Sequence, residues 1–282
     1  MPARLLALLL LAPLAAAAQP GGCPQFFVGG AAPGFTNPRL ARGALLLCND
    51  AFANAASPTS RGALWAAEHL TAADVEAARQ LPRDDAFHPE ARLPPGSRAE
   101  IADYRGTGYD RGHMAPAGDM PTAAAQQQSF SLANMVPQTP ELNRGAWEGI
   151  ESAVRRLATV TGELYVVTGA SFTGNRISAV GPNKVLVPSA TWKAVYDQGA
   201  RSAGAYLCPN TKRPACRTLT VAALSRAAGV DPFPAVPAAV KAQLMALPAP
   251  EPNARAAARR GRGEPDRGFF DRLLNPSPEQ RR

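Results

Sequence analysis

The pattern of apolar and polar residues predicts strands in three parts of the chain. β-branched and aromatic residues dominate ELYVVTGASF at residues 163–172 and KVLVPSATWKAVYD at residues 184–197, a composition that favours strands. Between residues 23 and 50, the short apolar runs QFFVGG and ALLLC are separated by Gly and Pro. This spacing predicts short strands or extended loops.

Helical patterns adjoin these segments. The run ALWAAEHLTAADVEAARQL, residues 63–81, predicts a strand followed by a helix that Thr71 can cap. The run TLTVAALSRAAG predicts a short helix that ends at Gly229. Residues 82–106 are polar and rich in Pro and Gly, so a loop is predicted there.

A further predicted helix, from Leu142 to Thr159, carries a row of side chains at intervals of four residues: Asn143, Trp147, Glu151 and Arg155. At about 100° per residue, each interval drifts by only about 40°, so the row shares one broad face. Apolar residues at offsets of three and four would attach the helix to a core: Ile150, Val154 and Leu157. Taken alone, the row predicts an ordinary amphipathic helix with a weak Glu151 to Arg155 ion pair.

The two ends of the chain differ in composition from residues 19–247, which we interpret as one compact domain. Residues 1–18, MPARLLALLLLAPLAAAA, have a basic start, an apolar run and an Ala-rich end, which predicts a secretory signal cut after Ala18. A membrane anchor is disfavoured because the apolar run is shorter than the roughly 20 residues that cross a bilayer, and Pro13 interrupts it. No other stretch is expected to span a membrane. Residues 248–282 hold eight arginines and five acids among Pro, Ala and Gly, which predicts a flexible basic tail.

Charge and cysteine content narrow the class of protein. The formal net charge is +8, and loss of Arg4 with the signal would leave 8 − 1 = +7, so an anionic partner such as nucleic acid is favoured. Export would make the four cysteines disulfide candidates. Of the three pairings, we favour Cys23 with Cys48 and Cys208 with Cys216; a zinc site is disfavoured because no Cys-x2-4-Cys spacing occurs.

Three ordered motifs carry the candidate chemistry. They are D-R-G-H-x-A-P beginning at Asp110, S-x-A-N-M-x-P-Q containing Asn134, and L-N-x-G-x-W-x-x-x-E-x-x-x-R beginning at Leu142. Together they resemble the DNA/RNA non-specific endonuclease family, the ββα-metal nucleases. The resemblance is strongest from Tyr104 to Arg155, and weaker similarity extends over most of the domain.

The resemblance implies an α+β fold (mixed α/β): an antiparallel sheet flanked by helices, with the base on a strand and the metal ligand on a crossing helix. It implies an Mg2+-dependent endonuclease, for which Mn2+ is an alternative ion. Together with the predicted signal segment, this predicts a secreted or periplasmic enzyme. The substrates would be DNA and RNA with little sequence preference, and the products would carry 5′-phosphate and 3′-hydroxyl ends. The resemblance is compatible with a homodimer, and it does not identify an inhibitor protein.

Hydrolysis of a phosphodiester needs a base for the attacking water and positive charge for the phosphate and the leaving oxygen. An imidazole is largely neutral at neutral pH, so His113 can be the base, and Gly112 would permit a bend that aims the ring. Mg2+ keeps several water ligands, so one protein ligand can hold it. The resemblance implies that this ligand is the amide oxygen of Asn143, and that Glu151 accepts hydrogen bonds from the ion's water ligands.

The resemblance also assigns polar partners to this pair. Forked guanidinium donors suit phosphate, which makes Arg111 and Arg155 candidates. Arg83 is the best match to a further family arginine, and Arg61 and Arg92 compete for that role.

The remaining motif positions receive weaker assignments. Asn134 would position water or His113, with a turn asparagine as the alternative. Asp110 would pair with Arg111 or orient the turn, and Asp119 is predicted to be a loop residue.

Other residues receive structural interpretations. His69 and His88 lack a second ligand at suitable spacing, and Trp147 and Trp192 fit a core. Two other functions stay open: a polyanion-binding protein without hydrolysis, and a phosphodiesterase for small nucleotides. The nuclease interpretation predicts that His113 and Asn143 approach one shared phosphate.

Overall fold

A computed structural model describes residues 22–250 of the chain. The predicted signal segment 1–18 and nearly all of the predicted tail 248–282 lie outside the described residues. In the described part, no helix has the length and apolar character needed to cross a membrane.

Strands and helices are numbered in chain order. The strands are β1 (Gly34–Phe35), β2 (Leu45–Cys48), β3 (Ala53–Ser57), β4 (Gly62–Thr71), β5 (Asp110–His113), β6 (Met135–Gln138), β7 (Glu163–Ser171), β8 (Ala179–Val180), β9 (Val185–Leu186), β10 (Ala190–Asp197), β11 (Ser202–Pro209), β12 (Arg217–Leu219) and β13 (Val230–Asp231). The helices are α1 (Pro38–Ala41), α2 (Ala72–Arg79), α3 (Ala123–Ser129), α4 (Glu148–Thr161), α5 (Val221–Ala228) and α6 (Ala238–Lys241).

Seven strands form one antiparallel sheet in the order β12-β11-β10-β7-β4-β3-β2. The two faces of the sheet support separate apolar clusters. One cluster joins the sheet to α5 and contains Trp65, Trp192 and Leu224, and the other joins it to α4 and contains Trp147 and Val195. The predicted α+β architecture, an antiparallel sheet flanked by helices, is confirmed.

Several element boundaries follow the predicted local chemistry. β4 passes directly into α2 at Thr71, whose hydroxyl accepts from the backbone N–H of Asp74 while the Asp74 carboxylate accepts from the backbone N–H of Thr71. This capping box satisfies donors that the first helical turn leaves unpaired. α5 ends at Gly229, which has the left-handed φ of 70° that favours glycine.

Two predicted elements are wrong in extent. Residues 184–197 do not form one strand, because Pro188 separates β9 from β10 and proline cannot donate a ladder hydrogen bond. The predicted helix from 142 to 159 is not a single α-helix. A π-helical turn spans Leu142–Trp147, with a non-helical Gly145 (φ −119°, ψ −107°), before α4 begins.

Both favoured cysteine pairings are present. Cys23 is bonded to Cys48 on β2, and Cys208 on β11 is bonded to Cys216. The first bond ties the start of the described chain to the edge of the large sheet, and the second closes the loop between β11 and β12.

Candidate active site

The DRGH motif forms β5, which pairs with β6 in a two-stranded ribbon separate from the large sheet. His113 is the last residue of β5 and lies opposite Met135. A Cβ at Gly112 would overlap the side chain of Gln138, which is fully buried. Gly112 is therefore needed for the close approach of β6, and the predicted bend is wrong because the residue lies within an extended strand.

The imidazole of His113 packs against the rings of Phe87 and Phe130, which also contact each other. The ring centroids of Phe87 and Phe130 lie 5.7 Å and 4.9 Å from the His113 centroid. The side chain is buried, and its Nε2 has no hydrogen-bond partner. A buried nitrogen without a partner is costly in a structural role, and it is suited to accept a proton from a bound reactant.

A guanidinium group lies over each of these rings. The Cζ of Arg111 is 4.0 Å from the centroid of Phe87, and the Cζ of Arg83 is 5.2 Å from the centroid of Phe130. Burial, followed by the positive charges of Arg83 and Arg111, lowers the pKa of His113 to about 3. The imidazole is therefore neutral throughout the physiological pH range.

The structure distinguishes Arg83 from the two arginines that compete for its role. Arg61 donates to the backbone carbonyl of Gly96. Arg92 is held by Glu90 and by the Cys48 carbonyl. Of these arginines, Arg83 is the one that stacks on a ring contacting His113.

Asn143 lies on the π-helical turn and is tied to the start of β5. Its Nδ2 donates to Oδ2 of Asp110 at 3.0 Å. The same carboxylate accepts a hydrogen bond from Nε of Arg144, at 2.7 Å, and a second one from Nη2 of Arg144. Asp110 thus pairs with Arg144 rather than with Arg111, which corrects the first of its two predicted roles. Asp110 and His113 are the first and last residues of β5, so at about 3.3 Å per residue their Cα atoms are about 10 Å apart along the strand.

The side chain of Asn134 is fully engaged with backbone groups. Its Oδ1 accepts from the N–H of Ala115, and its Nδ2 donates to the carbonyls of Ala115 and Ser129. Asn134 therefore fixes the backbone just beyond His113, and both N–H donors of its amide are used by backbone carbonyls.

A buried group of charged residues lies between α4 and the large sheet. Arg155 donates to Asp119 at 2.8 Å and to Ser152 at 3.1 Å. This arrangement corrects two predictions, because Asp119 is a buried ion-pair partner and Arg155 pairs with Asp119 instead of Glu151.

Two glutamates of this group, Glu151 and Glu68, have raised pKa values. Burial, assisted by Asp119, raises the pKa of Glu151 to about 7, while Lys193 and Arg155 oppose the rise. Burial also raises the pKa of Glu68 on β4, whose two carboxyl oxygens have no hydrogen-bond partner. Lys193 donates to Thr168, which keeps a positive charge in the same buried layer.

The other motif residues occupy structural positions. His69 pairs with Glu163 at 2.9 Å, and Nδ1 of His88 lies 3.1 Å from the Ala86 carbonyl. Trp147 and Trp192 are buried, as predicted. Within residues 22–250, no group of three or more His, Cys, Asp or Glu side chains could hold a metal ion. A cation here would depend on very few protein ligands and on water.

Sequence reasoning missed several residues of the site: Phe87, Phe130, Glu68, Lys193 and Arg144. The one local signal was Lys193, a charged residue in the middle of the largely apolar β10. The other contacts join residues that are far apart in the chain, and no local pattern marks them.

The fold resembles that of a solved ββα-metal nuclease. The EndoG chain in a crystal structure of an EndoG/EndoGI complex has a TM-score of 0.60 and 26% sequence identity, covering 70% of this chain and 92% of that chain. The described α+β architecture is that of this class.

The sequence comparisons identify the family. A model of the DNA/RNA non-specific endonuclease family matches residues 32–239, which is most of the chain. The chain therefore belongs to this family.

Curated relatives match shorter regions. A nuclease of Nostoc sp. is 40% identical over 115 residues, covering 40% of this chain and 41% of the relative. Mitochondrial endonuclease G of Bos taurus is 32% identical over 169 residues, covering 56% and 54%. Nuclease C1 of Cunninghamella echinulata is 37% identical over 164 residues, covering 53% and 65%. The chain thus spans about two fifths to two thirds of the length of these relatives.

Proposed function

We propose that this chain is an exported, Mg2+-dependent endonuclease that hydrolyses phosphodiester bonds in DNA and RNA. The observation that carries the proposal is the partnerless Nε2 of His113, whose imidazole packs against two phenylalanine rings, each with an arginine guanidinium over it. Family membership and the net charge of +8 support a polyanionic substrate. The two disulfides fit an oxidising compartment outside the cytoplasm.

His113 would act as the general base. Its neutral imidazole accepts a proton at Nε2 from the water that attacks phosphorus. A bond forms between the water oxygen and phosphorus while the bond from phosphorus to the 3′ oxygen breaks. The products then carry a 5′-phosphate and a 3′-hydroxyl, whose proton comes from solvent.

Arg111 and Arg83 would hold the phosphate. Both lie near the base, and a guanidinium group presents forked donors to phosphoryl oxygens. Nε of Arg83 is in an exposed ion pair with Asp85, so its terminal NH2 groups would face the phosphate. Arg155 receives a different role in this proposal. Its guanidinium is occupied by Asp119 and Ser152, so it would stabilise the buried acids near Glu151 rather than bind substrate.

The residues present fit a divalent cation with one direct protein ligand. The Asn143 amide nitrogen faces Asp110, which leaves Oδ1 as the ligand atom. Glu151 would accept hydrogen bonds from the ion's water ligands once its carboxyl has ionised. When bound, the ion would neutralise phosphate charge and stabilise the leaving oxygen. Mn2+ also accepts oxygen ligands and is the alternative ion.

This site predicts little preference for base or sugar. Its candidate substrate contacts are charged groups and a cation that engage phosphate, and phosphate contacts carry no base information directly. DNA and RNA should therefore both be cleaved at internal positions.

The test incubates the purified chain without residues 1–18 with circular plasmid and with RNA, in Mg2+ and in chelator. We expect cleavage of both substrates in Mg2+, none in chelator, and loss of cleavage in His113→Ala. His69→Ala is the matched control, because His69 pairs with Glu163 and stacks on Tyr165. Intact plasmid circles in Mg2+ would overturn the proposal. Salt-sensitive DNA retention without cleavage would instead support a binding protein, and cleavage of small nucleotides alone would support a phosphodiesterase.

A further inference from the structure

The orientation of the Asn143 amide is determined by Asp110. An asparagine side chain presents an acceptor oxygen on one side and a donor NH2 on the other, and a rotation of about 180° exchanges them. An ionised carboxylate only accepts hydrogen bonds. Since the Asn143 amide lies 3.0 Å from Oδ2 of Asp110, its nitrogen must face Asp110 and its oxygen must face away.

Arg144 holds the carboxylate of Asp110 in place. Its guanidinium makes a two-point contact, with Nε donating to Oδ2 and Nη2 donating to Oδ1. Because both oxygens are engaged, the Asp110 carboxylate cannot turn without losing an ion pair. The Arg144 side chain is otherwise exposed, so its aliphatic part contributes little to the core.

The π-helical turn allows consecutive residues to reach one carboxylate. On an α-helix, neighbouring residues point about 100° apart and do not face the same partner. Here Asn143 and Arg144 both donate to Asp110, within a turn whose Gly145 departs from helical φ and ψ. The departure from α-helical geometry coincides with the contact that orients the amide.

We propose that Asp110 is a positioning residue that directs Oδ1 of Asn143 toward the divalent cation, and that Arg144 holds Asp110 in the required orientation. The inference rests on the proposed function, because it takes Asn143 as the metal ligand. Asp110 and Arg144 do not touch the cation or the substrate in this assignment. They act by disfavouring the flipped orientation of the Asn143 amide, in which its NH2 group would face the ion.

The test measures binding of Mn2+ alone to the purified chain by electron paramagnetic resonance of the free ion, without substrate. Asp110→Asn keeps the size of the side chain but adds a donor, so the Asn143 amide can adopt either orientation. We expect Mn2+ affinity to fall by about 10-fold or more, as is typical when a group that orients a metal ligand is changed. Asp231→Asn is the matched control, since Asp231 is in an ion pair with Lys241, and its Mn2+ affinity should equal that of the unaltered chain.

Arg144→Gln separates positioning from simple electrostatics. Removal of a positive charge near the cation would tighten Mn2+ binding if only charge mattered. The positioning role predicts weaker binding, because Asp110 loses its two-point partner. Tighter or unchanged binding in Arg144→Gln, or unchanged binding in a folded Asp110→Asn, overturns the inference. If Asp110→Asn fails a thermal unfolding check, Arg144→Gln alone decides the outcome.

The failure of the inference and that of the proposed function are distinguishable. If the unaltered chain neither binds Mn2+ nor cleaves plasmid, the proposed function fails. If it does both and the two variants behave like the unaltered chain, only the positioning role fails. Residual cleavage by Asp110→Asn should also recover at high Mn2+ concentration, which loss of a catalytic group would not allow.

Discussion

Replacement of Glu151 by Gln should make the stability of the fold less dependent on pH. Glu151 lies in the first turn of α4, where burial raises the pKa of its carboxyl from 4.5 to about 7. The folded chain therefore retains a proton that the unfolded chain releases between these two pH values. The stabilisation from this proton is fully present below pH 4.5 and is lost as pH rises through 7.

The size of this effect follows from the shift in pKa. The difference is 7 − 4.5 = 2.5 units, and at about 1.36 kcal/mol per unit it corresponds to about 3 kcal/mol between pH 4.5 and pH 8. As the pH rises from 4.5 to 8, the unaltered chain should lose about 3 kcal/mol of free energy of unfolding through this group. Glu151→Gln has no carboxyl at this position, so it should not show this loss. It should also lower plasmid cleavage at pH 8 by about 10-fold or more, because the amide is a weaker acceptor for the ion's water ligands.

The measurement is urea unfolding of both chains at pH 4.5 and pH 8, in chelator, so that no bound cation alters the carboxyl. Glu76→Gln, an exposed substitution on α2, is the control and should follow the unaltered chain at both pH values. If the curves for Glu151→Gln and the unaltered chain stay parallel with pH, Glu151 titrates alike in the folded and unfolded chains. That result would contradict a raised pKa of the Glu151 carboxyl in the folded chain.

Two further substitutions test the surroundings of His113. Gly112→Ala should lower both the melting temperature and plasmid cleavage, because the new Cβ would overlap the buried Gln138 side chain; normal thermal unfolding would contradict this packing argument. Phe87→Leu should lower kcat/KM for plasmid about fivefold, which is the loss of about 1 kcal/mol of cation–π attraction to Arg111. Unchanged kinetics in Phe87→Leu would show that the ring does not hold the guanidinium.

Local patterns predicted the elements whose ends depend on neighbouring residues. The Thr71 boundary depends on a capping box within four residues, and the end of α5 depends on one glycine with positive φ. Trp147 was predicted to be buried because its surroundings in the sequence are apolar, and the structure confirms this. Each of these features depends on residues close together in the chain, so each could be predicted from the sequence alone.

Two of the failed predictions concern helix geometry and long-range pairing. A four-residue spacing is compatible with an α-helix whether or not Gly145 adopts helical angles, so the π-helical turn was not predictable from the pattern. Asp119 and Arg155 are 36 residues apart, and Asp110 and Asn143 are 33 residues apart. Only the folded chain brings these partners together.

The two arginines beside His113 link the strength of the base to the presence of substrate. Their charges contribute, after burial, to the low pKa of the imidazole. We infer that a bound phosphate would compensate both charges and raise that pKa, while burial would still hold it below its usual range. NMR titration of the imidazole with and without inorganic phosphate would measure the change, and an equal pKa in both samples would contradict it. In the absence of substrate, the ring would be a weak base that solvent does not protonate, and it would gain basicity only when there is a phosphodiester to cleave.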